Sequence, residues 1–125
     1  MKNTSKIALG AWAWGNDGTF GGSLTEKDLR PVFDAAMKEG LNLWDTAFVY
    51  GMGTSEKTLG SFLRTVPRES YQISAKFTPQ CADPEAENAV VEMYRTSASL
   101  LDTETMDWRS SLPVRPCIRP WALWM

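Results

Sequence analysis

The fold is decided by the stretch Leu41-Asn42-Leu43-Trp44-Asp45-Thr46-Ala47-Phe48-Val49-Tyr50-Gly51. Its first four residues are largely apolar and predict a buried strand, which delivers Asp45 and Thr46 to its carboxyl end. The residues after Thr46 predict a loop that contains Tyr50. In parallel α/β proteins the carboxyl ends of the strands carry the functional residues, so this stretch predicts both a strand and a site.

Strand and helix signals alternate on both sides of this stretch. Residues 7–12 are apolar and predict a first strand. Residues 29–37 repeat apolar positions at the spacing of one helix face, and Gly40 follows where a left-handed glycine ends a helix. We predict Asp28 rather than Thr25 as the N-cap, because Pro31 then lies in the first turn, where its missing N–H is harmless.

The second half of the chain continues the alternation. Ser55 is predicted to cap a short helix, residues 71–75 predict a third strand that ends at Lys76, and Asp83-Pro84 predicts the start of a third helix. About three βα units in this order require parallel strands. The pattern leaves an open Rossmann-like sheet and a closed barrel as alternatives. The glycines between residues 10 and 22 are too widely spread for a dinucleotide-binding turn.

Three polar residues follow the predicted second and third strands and suggest acid–base chemistry. A tyrosine hydroxyl ordinarily has a pKa of about 10, and a neighbouring cation is needed to stabilise its phenolate. Lys76 is a candidate for that cation, and Asp45 on the adjacent strand supplies the countercharge that keeps a partly buried lysine protonated. Together with Tyr50 they are suited to protonating a carbonyl oxygen during its reduction.

A family resemblance is carried mainly by the residues around the second strand. The motifs Asp45-Thr46-Ala47, Tyr50-Gly51, Ser55-Glu56 and Leu59-Gly60 resemble the aldo-keto reductase signature, supported by Leu9-Gly10-Ala11-Trp12 and Ser74-Ala75-Lys76-Phe77. The resemblance covers residues 7–107. It implies an α/β fold that forms the N-terminal part of a parallel (β/α)8 TIM barrel, about three βα units long.

The same resemblance implies an activity and a set of site residues. The reaction would be the NAD(P)H-dependent reduction of an aldehyde or ketone, with Tyr50 as proton donor, Lys76 tuning it and Asp45 pairing with Lys76. Ala11, Trp12 and Asp45 would lie beside the NADPH or NADH cofactor, and no metal is implied. The family holds most of the cofactor's phosphate groups in loops after the later strands.

The end of the sequence departs from the family pattern. Aldo-keto reductases usually have a catalytic histidine after the fourth strand, and this sequence contains no histidine. Residues 108–113 include Arg109-Ser110-Ser111 and Pro113, which are poor material for a central strand. We therefore predict a partial barrel domain over residues 1–107 and an Arg/Pro/Trp-rich tail, not native to the fold, over residues 108–125.

Length bears on what the chain can do. A whole (β/α)8 barrel needs about 250 residues, whereas this sequence has 125. We expect an incomplete barrel that is inactive alone and that self-associates through exposed sheet edges. The alternative is a non-catalytic interaction or regulatory module built on the same half-barrel.

Charge and composition bear on partners and location. The net charge is −2, which predicts no nucleic-acid or membrane partner, so the expected partner is a small carbonyl substrate. All fifteen acidic residues and ten of the thirteen basic ones lie within residues 1–107, which leaves residues 108–125 with a charge of +3. Two cysteines without a secretory signal favour reduced thiols and a cytoplasmic protein.

Overall fold

The computed structural model describes residues 5–21 and 23–111. Within these residues, strands and helices alternate along the chain, and the strands form one parallel sheet in the order β1-β2-β3-β4. The elements are β1 Ala8–Gly10, α1 Glu26–Lys38, β2 Leu43–Ala47, α2 Thr54–Leu63, β3 Gln72–Phe77, α3 Ala89–Leu100 and β4 Trp108–Ser111. This is the architecture of the N-terminal part of a (β/α)8 barrel, as the resemblance implied.

The two faces of the sheet differ in burial. Trp44 pairs with Ile73 and Thr46 with Ala75 across β2 and β3, and all four are buried. The intervening position, Asp45, faces the other way because successive side chains on a strand point to opposite faces. One face therefore packs against the helices, while the other carries partly exposed polar side chains.

An aromatic cluster fills the space between the sheet and the first two helices. The Phe33 ring lies 5.1 Å from the Trp44 ring and 5.5 Å from the Phe62 ring, and Trp14 is 5.4 Å from Trp44. Each ring buried in this way stabilises the fold by roughly 2–3 kcal/mol. The cluster fixes α1 and α2 against β2, the strand that carries Asp45.

Helix α1 confirms the predicted apolar stripe but not its predicted cap. Thr25, not Asp28, is the N-cap: the Thr25 side chain accepts a hydrogen bond from the Asp28 N–H, and the Asp28 side chain accepts one from the Thr25 N–H. A capping box satisfies two free donors, whereas a lone Asp28 cap satisfies fewer. Pro31 consequently lies inside the helix. Gly40 has a φ of 73°, as the predicted left-handed stop requires.

The predicted starts of the other two helices are wrong. Helix α2 begins after Gly53, and Ser55 is buried within it. Asp83 accepts hydrogen bonds from the backbone of Glu85 and Ala86 and forms a local turn instead of a helix cap. The cap of α3 is Asn88, whose side chain accepts hydrogen bonds from the Val90 and Val91 N–H groups.

A fourth strand lies where the sequence pattern predicted none. β4 pairs with β3 in parallel, with Ser74 opposite Trp108 and Phe77 opposite Ser111. Ladder hydrogen bonds join backbone groups, so an unsuitable side-chain pattern does not prevent a strand beside the open edge of β3. The domain boundary at residue 107 stays a prediction, and residues 112–125 of the predicted tail lie outside the described residues. None of the helices described is long and apolar enough to cross a membrane.

Candidate active site

A lysine–aspartate ion pair lies at the carboxyl end of the sheet. The Lys76 ammonium donates a hydrogen bond of 2.6 Å to Asp45 Oδ2 and one of 3.0 Å to the Thr46 carbonyl. The two side chains are 17% and 32% exposed, which leaves Asp45 open to the sheet's polar face. Lys76 lies two residues beyond the β3 partner of Asp45, so both side chains emerge on the same face.

Tyr50 lies in the turn that follows β2. Its N–H donates to the Ala47 carbonyl and its own carbonyl accepts from the Ser55 N–H, which ties the turn to both β2 and α2. The Lys76 Nζ is 5.3 Å from the centre of the Tyr50 ring. The structure thus brings Lys76 to Asp45 and to the Tyr50 ring, while the Tyr50 hydroxyl donates to none of the residues described.

The two residues predicted beside the cofactor occupy different positions. Trp12 is 44% exposed, and its indole stacks on the Tyr50 ring with centroids 5.3 Å apart and planes 11° from parallel. Ala11 is fully buried, its N–H donates to the Asp45 carbonyl at 2.8 Å, and its carbonyl accepts from the Ser55 hydroxyl at 2.6 Å. Trp12 therefore borders the site, and Ala11 supports it from beneath.

A buried pair of hydroxyls joins the strand ends beneath the site. Thr46 Oγ1 and Ser55 Oγ are 3.0 Å apart, and both residues have no exposed surface. Ser55 thereby links β2 to the Ala11 carbonyl after β1. The sequence predicted Ser55 as a helix cap, because a serine near a helix start is usually a cap. The only sequence signal for the observed contact is a second hydroxyl residue, Thr46, at the end of the preceding strand.

Two glycines allow the loops beside Tyr50 to touch. Gly51 has a φ of 66°, and a methyl group there would overlap the Gly15 backbone; one on Gly15 would overlap Tyr50 and Gly51. Glycine is the residue that tolerates both the positive φ and the close approach. The contact fixes the β2–α2 turn, and therefore Tyr50, against the loop that carries Trp12.

A buried carboxyl with little hydrogen bonding lies behind the site. Glu56 has no exposed surface, and among the described residues the Ser97 hydroxyl is near its carboxyl oxygens but outside good hydrogen-bond geometry. Burial raises the pKa of Glu56 to about 7, and the nearby Ser97 hydroxyl offsets part of the rise. Neither the Asp45 nor the Lys76 charge contributes to this shift, so Glu56 is not coupled to the ion pair.

The exposed groups at this edge fit one end of a nicotinamide cofactor. The partly exposed indole of Trp12 suits contact with a flat aromatic ring, and the partly exposed Asp45 carboxylate is an acceptor for amide or sugar donors. Among the described residues, no cluster of His, Cys, Asp and Glu side chains has the arrangement of a metal site.

Parallel strands joined by helices, with a lysine–aspartate pair at their carboxyl ends, define the early part of an α/β barrel of the enzymatic kind. Residues 6–110 match the model of the Aldo/keto reductase family. The chain belongs to that family, whose members are NAD(P)H-dependent oxidoreductases.

Curated relatives are similar over part of their length. The D-threo-aldose 1-dehydrogenase of a Pseudomonas species is 39% identical over 72 residues, which cover 56% of this chain and 22% of that protein. The chloroplastic pyridoxal reductase of Arabidopsis thaliana is 39% identical over 67 residues, or 50% of this chain and 18% of the relative. The chain thus spans about a fifth of the length of the curated relatives that it matches.

Solved structures share the fold. The glycerol dehydrogenase of Gluconobacter oxydans superposes with a TM-score of 0.63 at 29% identity, covering 86% of this chain and 35% of that one. An aldo-keto reductase of Klebsiella pneumoniae in complex with NADPH gives a TM-score of 0.66 at 24% identity, covering 88% and 37% respectively.

Proposed function

We propose that Asp45, Lys76 and Tyr50 form the proton-donating part of a site that reduces aldehydes or ketones. Bound NADPH or NADH would supply the hydride to the carbonyl carbon. The Tyr50 hydroxyl donates the proton to the carbonyl oxygen. Lys76 stabilises the charge left on the phenol, and Asp45 holds the ammonium in place.

The observation that carries this proposal is the position of the Lys76 ammonium. It bonds to Asp45 at 2.6 Å and lies 5.3 Å from the centre of the Tyr50 ring. A cation held beside the ring stabilises negative charge that develops on the phenol oxygen as its proton leaves. The Thr46 carbonyl accepts a second hydrogen bond from Lys76, which further restricts where the ammonium can point.

Cofactor binding would use the exposed groups at the same edge. Trp12 presents a partly exposed indole that stacks on Tyr50, and Asp45 presents a partly exposed carboxylate. Ala11 contributes by fixing the end of β2 through its hydrogen bond to the Asp45 carbonyl. These three residues hold the nicotinamide end, where the reacting carbonyl also lies. The proposed substrate is a small aldehyde or ketone.

The chain alone is proposed not to turn over. Its 125 residues include no histidine, although aldo-keto reductases usually have a catalytic histidine after the fourth strand. The second candidate, a non-catalytic module on the same half-barrel, is favoured by the absence of histidine. A chimera that combines these residues with the later strands of a relative separates the two.

The chimera places residues 6–107 in the aldo-keto reductase YhdN of Bacillus subtilis, which is 38% identical over 74 residues. We expect NADPH oxidation with an aldehyde panel, and Tyr50→Phe is expected to lower kcat by about 10²–10⁴-fold, the usual contribution of a general acid. Tyr94→Phe is the matched control, since that phenol donates to the Glu104 carbonyl away from the site.

Two results would count against the proposal. If the Tyr50→Phe chimera keeps its rate, Tyr50 is not the proton donor. If the folded chimera neither oxidises NADPH nor binds it, the non-catalytic module is the better description of residues 6–107.

A further inference from the structure

Trp12 is held in one orientation although much of it is exposed. Its indole N–H donates to Asp17 Oδ2 at 3.0 Å, and the Phe20 ring meets it edge-on at 5.3 Å. Its other contact is the parallel stack on Tyr50. With 44% of its surface exposed, Trp12 is not enclosed by the core, so its orientation depends on these contacts, among which the Asp17 hydrogen bond is the most directional.

Asp17 is itself fixed by the backbone. Its second carboxylate oxygen accepts from the Thr19 N–H at 3.0 Å, so each oxygen has one donor. The hydrogen bonds from Thr19 and Trp12 lower the pKa of Asp17, and the carboxylate is therefore ionised at neutral pH. An ionised acceptor forms a stronger bond to the indole N–H than a neutral one.

The loop that presents Asp17 is closed by its neighbour Asn16. The Asn16 side-chain oxygen accepts from the Leu24 N–H at 2.7 Å, and its side-chain nitrogen donates to the Leu24 carbonyl at 2.8 Å. Two bonds to one residue hold the two ends of the loop together, so the loop that carries Asp17 is closed. A continuous set of contacts therefore joins this loop to the Tyr50 ring: the Asp17 carboxylate bonds to the Trp12 indole, and the indole stacks on Tyr50.

We propose that Asp17 is a positioning residue for Tyr50: it orients Trp12, and the Trp12–Tyr50 stack sets the direction in which the phenol hydroxyl points. This inference deepens the proposed function, since the ring that it positions is the proposed proton donor. Asp17 touches neither substrate nor cofactor in this scheme. Its effect passes through Trp12, which sequence reasoning assigned to cofactor binding alone.

The test follows the Tyr50 ring itself by NMR of tyrosine-labelled chain. With three tyrosines in the sequence, Tyr50→Phe assigns the signal, and the stacked indole is expected to shift its ring protons upfield. Trp12→Ala marks the unstacked position. Asp17→Ala is expected to move the Tyr50 signal most of the way to that position, and Asp17→Asn, which keeps one acceptor, to an intermediate one.

Asp34→Ala is the matched control, because it removes an exposed carboxylate whose partner is Arg30, not Trp12. A Tyr50 signal that stays in place in both Asp17 variants, or that moves equally in Asp34→Ala, overturns the inference. Unchanged Tyr71 and Tyr94 signals show that each variant is folded; if Asp17→Ala unfolds, Asp17→Asn decides.

The NMR result is independent of turnover. A Tyr50 signal that responds to Asp17 while the Tyr50→Phe chimera keeps its rate would refute the proposed function and leave the positioning contact standing. The reverse outcome, a dead Tyr50→Phe chimera with an unresponsive signal, would support the function and refute this inference.

Discussion

Two ion pairs stand at opposite ends of the same sheet and differ in how many other bonds their partners make. Lys76 and Asp45 meet at 2.6 Å at the carboxyl end, and Arg68 and Asp107 at 2.8 Å at the amino end. Their burial is alike, with side chains 17% and 32% exposed in the first pair and 30% and 20% in the second. Burial alone does not distinguish a structural pair from a functional one.

The amino-end pair is extensively bonded to the backbone. Arg68 also donates to the carbonyls of Tyr71 and Thr105, and its guanidinium lies 4.8 Å from the centre of the Tyr71 ring. Asp107 also accepts from the Ile73 N–H at 3.1 Å. These bonds join the start of β3 to the start of β4. The pair is therefore expected to contribute to stability.

The carboxyl-end pair makes fewer backbone bonds and faces an aromatic ring whose hydroxyl is unbonded among the residues described. Lys76 reaches one carbonyl, that of Thr46. Hydrogen-bonding groups that remain open at a partly exposed site are available to a substrate. The amino-end groups therefore bond the strands to one another, whereas the carboxyl-end groups make fewer bonds within the described residues, as the proposed chemistry requires.

The largest expected effect concerns the backbone contact beside Tyr50. Gly51→Ala would force a methyl group into the Gly15 backbone at a positive φ, which we expect to destabilise the chain by about 4 kcal/mol or more. Gly10→Ala is the control, because nothing lies within 4 Å of its added methyl group. Urea unfolding measures both; equal stabilities would show that the loops at the carboxyl end are not held by this contact.

The buried carboxyl of Glu56 extends the comparison and predicts a pH dependence. The pKa of Glu56 is about 7 in the folded chain against an ordinary value of 4.5, so below pH 4.5 both states are protonated. As pH rises to about 7 the unfolded chain loses the proton first, and stability falls by about 3 kcal/mol before levelling off. Glu56→Gln is expected to remove this slope in unfolding curves, and a slope that persists would assign it elsewhere.

The two ion pairs are compared directly by neutralising each acid. Asp107→Asn weakens a carboxylate that accepts from both Arg68 and the Ile73 N–H and is expected to cost about 2 kcal/mol. Asp45→Asn leaves Lys76 its bond to the Thr46 carbonyl and is expected to cost about 1 kcal/mol or less. Both are measured by chemical denaturation. A greater loss from Asp45→Asn would reverse the roles assigned to the two ends.

An exposed pair gives the smallest effect and sets the baseline. Arg30 and Asp34 meet at 2.8 Å on the surface of α1, with side chains 40% and 55% exposed. Asp34→Ala is expected to change stability by less than about 0.5 kcal/mol, the usual size for such helix pairs. A loss comparable to that of Asp107→Asn would mean that bonding to the backbone is not what strengthens an ion pair here.

Much of the fold follows from the sequence, because periodicity and parallel pairing are local or topological properties. The stripe of α1 and the stop at Gly40 are where they were predicted. The wrong cap at Asp28 arose because Thr25 and Asp28 bond to each other, and sequence alone does not say which of two reciprocal partners is outside the helix. At Asp83 the same residue type serves a turn as well as a cap.

The site likewise has one part that the sequence predicts and one part that it does not. Asp45 and Lys76 were placed together by strand order, and the structure has them in contact. The stack of Trp12 on Tyr50 and the bond from Trp12 to Asp17 join loops that the sequence separates. Their geometry depends on loop conformations, for which no periodic pattern exists. β4 was missed because its pairing depends on the open edge of β3, not on its side chains.

The register of β2 against β3 has a consequence for folding. Ala47 lies opposite Lys76 and Asp45 opposite Ser74, and a slip of one residue would turn every side chain of one strand to the other face. The backbone ladder would survive such a slip, yet the ammonium would enter the apolar layer beneath the helices. Contact between Lys76 and Asp45 therefore reports correct strand alignment, so a probe of that contact would time when the sheet reaches its native pairing.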